Sequence, residues 1–488
     1  MIVMKAAKKF AFDVGWVFAG SMVVLLLHFL QKPIMARYLG PDGLGLFSMV
    51  TMIAGIIALI AGLGINGAVV KYVAEYKDDK KKLNAVFSSA SITVAIFGVV
   101  ASIVLFVFSD KLAGIFDMPS LSYLLKIYAF VLPFSLMYGV ILGFLTGLRE
   151  MKYYSLFNTL NGIMIFLFIV TFLFLGLGVV GAVIGDMLAL IVVLIIAGVI
   201  ARKFVHFTIT DYRKSTKRLT SFGSQLMFGN TINIINYQAD TLLIAYFLTV
   251  TDVGYYAVAV SLSRFFWRIP QSIQMVAYPA TSEYWVKGEI RSLNKMINKS
   301  MKYSACFLLT VGLGVWFFAK EIIVALFGQS FISSVFPFQI LVIGTVIFGI
   351  FKSIGSILPG IGRPDLSFKI HAVGATVNVV LNVSLIPRFG IEGAAVATIT
   401  SFMTIIALSI YSIVKLTEIN INVKWYASVF TITLLAMAVF SVFSELINLY
   451  FLGSLILSIY TVVLFVFFLS NEDKETFKEL IRSIVLKR

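Results

Sequence analysis

Fourteen apolar stretches run along this chain, at roughly 12–30, 44–66, 84–108, 121–145, 155–176, 179–200, 222–247, 253–277, 303–325, 336–357, 367–387, 391–413, 425–444 and 449–469. Each is near the ~20 residues a helix needs to cross ~30 Å of hydrocarbon, where no water is available to satisfy a free backbone N–H or C=O. The 39 Lys and Arg residues fall overwhelmingly in the N-terminus, in every second gap and in the C-terminus. Basic loops are retained on the cytoplasmic side, so this alternation predicts an all-α polytopic protein of the cell membrane with about 14 transmembrane helices and both termini cytoplasmic.

Composition removes several classes of function. With 60% hydrophobic and 13% charged residues over 488 positions, the spans and their short connections use most of the chain and leave little room for a soluble catalytic domain. A net charge of +16 would point to nucleic acid in a soluble protein. Here the excess sits in short cytoplasmic loops, where topology and anionic lipid account for it, and no nucleic-acid partner is expected. The single cysteine, Cys306, excludes an intrachain disulfide and a multi-cysteine metal site. No phosphate-binding loop, HExxH pair or His/Cys cluster with metal spacing is present, so neither an enzyme nor a cofactor is expected. The basic MIVMKAAKKF leads without a cleavage pattern into the first stretch, which reads as a retained helix.

The second half of the sequence echoes the first. Ala36, Leu39, Gly45 and Phe47 return as Ala245, Leu248, Gly254 and Tyr256. Glu75-Tyr76 and Leu83-Asn84 return as Glu283-Tyr284 and Leu293-Asn294, and Gly178, Gly181 and Ala182 as Gly390, Gly393 and Ala394. Three matches in the same order at nearly constant spacing predict a duplication of six helices, and an even number per repeat makes the two lobes parallel. The expected divisions are a first lobe at 1–200, a basic cytoplasmic linker at 201–220, a second lobe at 221–415, two extra helices at 416–470 and a cytoplasmic tail at 471–488. In that tail Phe477, Leu480, Ile481, Ile484 and Val485 follow the spacing of an amphipathic helix lying on the inner leaflet.

ARYLGPDGLGLFSMV after the first stretch, SQLMFGNTINIINYQADTLLIAYFLT in the seventh, GIGRPDLSFK before the eleventh and FGIEGAAVATITS opening the twelfth make a further pattern. With it, the chain resembles, over essentially its whole length, the polysaccharide or O-antigen type flippases of the multidrug and oligosaccharidyl-lipid exporter superfamily. The resemblance implies two lobes in a V shape around a central cavity that alternates between membrane faces. Such proteins move polyprenyl-pyrophosphate-linked saccharides from the inner to the outer leaflet.

Ionisable groups inside spans narrow the search for a site, since a charge at mid-bilayer costs about 2.5–3.5 kcal/mol even on the lenient insertion scale. In the seventh span Asn230, Asn233, Tyr237 and Asp240 fall within a helical arc of roughly 80°. In the eighth, Arg264, Arg268 and Gln271 share a face by their spacing. Asp240 and Arg264 lie at comparable depth, about 12 and 16 Å from the outer ends of their spans, and can form a self-neutralising structural pair. Arg268 then has no acidic partner nearby in sequence. A guanidinium in a wet cavity suits a pyrophosphate, which it grips through two parallel hydrogen bonds. Lys126 and Arg37 are further candidates for substrate contact, although both are close enough to an outer boundary to snorkel. Lys352, near the inner end of the tenth span, reads as interfacial. Asp186, deep in the sixth span, can bind a coupling cation or pair with His28. Asn378 and Asn382 share a face of the eleventh span and either lock helices or line the route.

These features predict an alternating-access flippase for lipid-linked oligosaccharide, working as a monomer in the bilayer. The alternatives are a cation-coupled multidrug exporter, which calls for an acidic rather than a cationic cavity, and a flippase for the peptidoglycan lipid precursor. A membrane glycosyltransferase or polymerase is disfavoured because every odd-numbered loop is short.

Overall fold

A computed structural model describes residues 2–208 and 210–475, with side chains from residue 15 onward apart from those of Asn230, Asn233 and Asn236. The expected amphipathic face of the tail, from Phe477 to Val485, lies outside the described residues. The helices are α1 (Ile2–Gly62), α2 (Ile65–Glu75), α3 (Lys80–Ile115), α4 (Pro119–Ala129), α5 (Leu132–Gly147), α6 (Met151–Phe174), α7 (Gly178–Ala201), α8 (Tyr212–Phe247) and α9 (Val250–Ser263). They continue as α10 (Arg268–Val286), α11 (Ile290–Phe317), α12 (Ala319–Phe327), α13 (Val335–Lys352), α14 (Ile357–Gly360), α15 (Pro364–Thr417), α16 (Val423–Phe443) and α17 (Leu449–Val463). No strand occurs among the described residues.

Among these residues nine helices are long and apolar enough to cross a membrane, or ten if α4 and α5, bent by 50°, make one broken span. The protein is therefore a multi-pass membrane protein. All fourteen apolar stretches of the sequence fall in helix, but the two longest helices each hold two of them. In α1 the break is Gly40, at φ 66°, and the second segment starts on Pro41, whose missing N–H costs nothing at a helix start. In α15 the break is Gly390, at φ 61°.

Side-chain size is distributed as lipid demands. Along α3 the large Val99, Ile103 and Val107 are exposed, while Gly98, Ala101 and Leu105 are buried. Small residues on the inner face let helices approach and gain dispersion contact, since lipid gives no hydrophobic force between helices. Around α2, α3, α5 and α8 the core is built from Ile65, Val69, Val86, Phe144 and Leu219. Phe157, Ile141 and Val193 form a second core where α5, α6 and α7 meet.

The chain divides into two compact units, one of Met1–Ala257 with Leu326–Phe331 and Ile386–Gly390, the other of Val258–Ala325, Ile332–Leu385 and Ile391–Arg488. Repeat-related positions share local geometry. Gly178 and Gly390 both take positive φ, at 54° and 61°, and Ala182 and Ala394 are fully buried. After α5, Arg149 at φ 59° closes the helix with bonds from Arg149 N to Thr146 O and from Glu150 N to Leu145 O. After α14, Gly362 at φ 83° repeats the motif with Gly362 N to Pro359 O and Arg363 N to Leu358 O. Both are paired hydrogen bonds of the Schellman type, which satisfy the last helical carbonyls.

Within the first unit, repeat-related residues also meet each other reciprocally. A Cβ on Gly45 would overlap the carbonyl of Val250, and one on Gly254 would overlap the carbonyl of Pro41. The hydroxyl of Thr251 donates to Asp42 Oδ1 at 2.5 Å beside them. This close approach of two helix starts is why glycine stands at both positions. Alanine at Gly45 or Gly254 should force a backbone shift costing about 1–3 kcal/mol. At Gly55, where a Cβ meets open space, alanine should be neutral or stabilising. Thermal unfolding midpoints of the three variants in detergent check this, and equal midpoints would exclude the contact.

Candidate functional site

The eighth apolar stretch is a broken helix. Helix α9 tightens into a 3₁₀ turn at Arg264–Trp267 before α10 begins at Arg268. Pro270 supplies the reason, because it has no N–H to return to the carbonyl of Phe266 and its ring crowds that carbonyl. Broken helices in a membrane persist where protein covers the break or where it borders a cavity. Here the turn is covered on one side by an aromatic nest. The Trp267 ring lies 5.6 Å from Phe348 and 5.7 Å from Phe402, and the two phenylalanines stack at 4.4 Å.

Cations surround this nest. The Arg264 guanidinium is 6.0 Å from the Trp267 ring centroid, and Lys352 Nζ is 5.1 Å from the same ring. Lys352 ends α13, where a positive charge is favoured by the helix dipole. An indole flanked by two cations draws both toward its electron-rich ring. Arg268 follows one turn after Arg264 and is exposed. Among the described residues its guanidinium has no ion pair, and no side-chain hydrogen bond is formed by it. Gln271, half-buried, completes the polar face. Three cations on two neighbouring helices, one of them with its donors unspent, form a surface for an oxyanion.

In the first unit the carboxylates of Asp240 and Asp186 are each held by a tyrosine. Asp240 is buried and accepts a 2.8 Å hydrogen bond from the fully buried Tyr256 hydroxyl. Asp186 Oδ2 accepts one of 2.6 Å from Tyr128. His28, on α1, is exposed. The side chains of Asn230 and Asn233 lie outside the described residues. Lys126 is paired with Asp110 at 2.8 and 2.9 Å, and Ser122 donates to the same carboxylate. Arg37 Nε donates to the carbonyl of Leu326 at 3.0 Å, in the last turn of α12. Lys32 donates to the carbonyl of Ala257 at 3.2 Å. Asn382 donates to Asn378 at 3.1 Å, both fully buried.

The structure thus brings Arg264, Arg268 and Gln271 onto one broken segment and adds two residues that sequence spacing does not reveal. Lys352 lies more than eighty positions from Trp267, and only packing of α13 against the 3₁₀ turn joins them. Tyr128 and Tyr256 are equally invisible as partners, because a buried tyrosine on an apolar helix looks like any other large packing residue.

The sequence profile of the polysaccharide biosynthesis protein family matches residues 10–285, more than half of the chain. The chain belongs to that family. This polysaccharide biosynthesis protein is 26% identical over 445 residues to an uncharacterized membrane protein of Methanocaldococcus jannaschii, covering 86% of this chain and 87% of the other. It is 25% identical over 379 residues to the probable low-salt glycan biosynthesis flippase of Haloferax volcanii, covering 77% of each. Its fold matches that of the lipid II flippase MurJ in an inward closed conformation, with a TM-score of 0.74 and 16% identity, over 92% of this chain and 98% of that one.

Removing the Tyr256 hydroxyl tests how far Asp240 depends on it. A hydrogen bond to a charged group contributes about 1.5–3 kcal/mol. Tyr256→Phe should therefore lower the unfolding midpoint in detergent without changing the apolar packing, whereas an unchanged midpoint would show that the bond carries no stability.

Proposed function

We propose that this protein is an alternating-access flippase that carries polyprenyl-(pyro)phosphate-linked oligosaccharide from the cytoplasmic to the outer leaflet of the cell membrane, for assembly of a surface glycan. The observation that carries the reading is Arg268, an exposed guanidinium without a counter-charge among the described residues, on a broken helix inside an apolar stretch. Such a group is tolerated in a membrane protein where a wet route or an anionic ligand meets it. A pyrophosphate supplies the missing charge and can be gripped through paired N–H donors without risk of deprotonation.

Arg264 and Lys352 act beside it as the second and third cations, held against Trp267 so that little side-chain entropy is lost when the anion arrives. Gln271 offers an uncharged partner for sugar hydroxyls; on the seventh span Asn230 and Asn233 are further proposed contacts, while Asp240, buried and held by Tyr256, is the acidic group behind them in sequence. Lys126 and Arg37 are occupied by Asp110 and by a helix-end carbonyl, which assigns them to the margin of the route. The polyprenyl tail stays in lipid while the headgroup crosses. Asp186, with Tyr128, and His28 are the positions at which a coupling cation would act. The chain works as a monomer, with both termini cytoplasmic, and performs no covalent chemistry.

A flippase for the peptidoglycan lipid precursor would use the same cations on the same kind of headgroup and differs in which glycan accumulates on depletion. A multidrug exporter for cations would have to reverse the charge around Trp267.

The test is accumulation of lipid-linked oligosaccharide on the cytoplasmic leaflet of depleted cells, with rescue by wild type, Arg268→Gln and Lys126→Gln. Loss of a charge-assisted bond of about 2 kcal/mol corresponds to roughly thirtyfold, so Arg268→Gln should drop flipping by more than about tenfold at normal expression. Lys126→Gln should stay within about twofold of wild type. Full rescue by Arg268→Gln would overturn the reading.

A further inference from the structure

A basic cavity lies apart from the Trp267 cluster, at the beginning of α11 and α16. Its volume is about 850 Å³, and its walls are the first turns of α11, the segment Asn420–Tyr426 and the segment around Ser470–Asp473. Arg291, Lys295, Lys299 and Lys302 recur at i, i+4, i+8 and i+11, which keeps all four within an arc of about 80° on α11. With Lys424 on the opposite wall, five cations line a cavity that contains two carboxylates, Glu472 and Asp473.

The two carboxylates are held very differently. Asp473 is buried, accepts from Lys302, from the Tyr303 hydroxyl at 2.8 Å and from both the backbone N–H and the hydroxyl of Ser470. Burial alone would raise its carboxyl, but these donors outweigh it and hold the group well below the usual carboxylate range. Asp473 therefore ties Ser470 and the helical residues 471–475 to α11, in a reciprocal cap. Glu472, next to it, is 62% exposed and shared between Lys295 at 3.0 Å and Lys299 at 2.9 Å. Exposed pairs of this kind contribute little, so a stronger oxyanion can take its place.

The cavity also has an interfacial rim. Trp425 and Tyr426 are in edge contact at 4.8 Å, Trp425 Nε1 donates to the carbonyl of Phe468 at 3.0 Å, and Lys302 lies 5.9 Å from the Trp425 ring. Val423, on the same wall, is exposed. Aromatic residues with one polar edge settle at the headgroup level of a bilayer, and basic pockets between spans at that level fit phosphate headgroups.

We propose that this cavity binds the phosphate of an anionic inner-leaflet phospholipid, with Lys295 and Lys299 as the contacts and Glu472 as a resident carboxylate that the headgroup displaces. The site's placement on the inner leaflet rests on the orientation proposed above. Binding itself does not, and it is read without transport. The Ser470–Asp473 anchor stands at the start of the C-terminal tail, on the same row of lysines. A soluble phosphate offers the same chemistry without acyl chains, and the experiment separates the two.

The test uses the full chain in detergent, exposed to phosphatidylglycerol or phosphatidylcholine, with bound lipid counted by native mass spectrometry. Wild type should retain phosphatidylglycerol in preference to phosphatidylcholine. The double variant Lys295→Gln with Lys299→Gln should reduce phosphatidylglycerol binding by about fivefold or more, and Glu472→Gln should raise it about two- to fivefold. An increase cannot come from misfolding, which keeps the test decisive if the double variant is unstable. Lys214→Gln, the loss of one positive charge outside the cavity, should have no effect. Equal loss with Lys214→Gln, no response to Glu472→Gln, or no preference between the lipids would overturn the proposal. Displacement by inorganic pyrophosphate without any lipid preference would assign the cavity to soluble phosphate instead. None of these results touches the flippase reading.

Discussion

A hydrocarbon solvent that cannot hydrogen-bond is the constraint on which this structure rests. It makes helix the default over the described chain, and it makes every departure from helix expensive unless protein covers it. The departures are few and chemically explained. Gly40 and Gly390 adopt positive φ where two spans are joined almost without a loop, and Pro270 disrupts one helix from within. At Arg264–Trp267 the break is sheltered by the packing of Trp267 against Phe348 and Phe402, with Arg264 and Lys352 lying against the same indole.

The same solvent sorts the charges. Asp186 and Asp240 each accept from a tyrosine, and Lys126 has its own carboxylate. Arg264 and Lys352 lean on an indole. Each device lowers the cost of a charge by using a group already present for packing. Arg268 lacks one among the described residues, and that contrast, more than the total of positive charge, is what supports its proposed role in binding an anion.

Much of the fold was legible because it depends on long, strongly periodic signals. Apolar length identified the membrane helices, and the glycines at 178 and 390, matched in sequence, both take positive φ. The number of crossings was less legible, because Gly40 and Gly390 merge pairs of stretches into single long helices and the polar faces of α8 and α10 dilute their apolarity. Sequence spacing found Arg264, Arg268 and Gln271, which lie within one helical face. It could not find Lys352, Trp267, Tyr128 or Tyr256, whose roles come from contacts between elements remote in sequence. The partners of Lys126 and Arg37, Asp110 and the carbonyl of Leu326, are equally remote in sequence.

The two basic regions of the second unit use different cations for a physical reason. At the broken helix the isolated group is arginine, whose delocalised charge is weakly hydrated and survives a low-dielectric setting with its donors in a fixed fork. At the start of α11 the cations are mostly lysines, compact and strongly hydrated, on flexible stems near water. Lysine there can exchange Glu472 for another anion with little reorganisation, because neither state is buried. An arginine row in that position would hold its carboxylates in bidentate pairs and release them less readily. Residue type therefore fits the two proposals, an anion gripped inside the membrane at the broken helix and anions trading places at its surface at the start of α11.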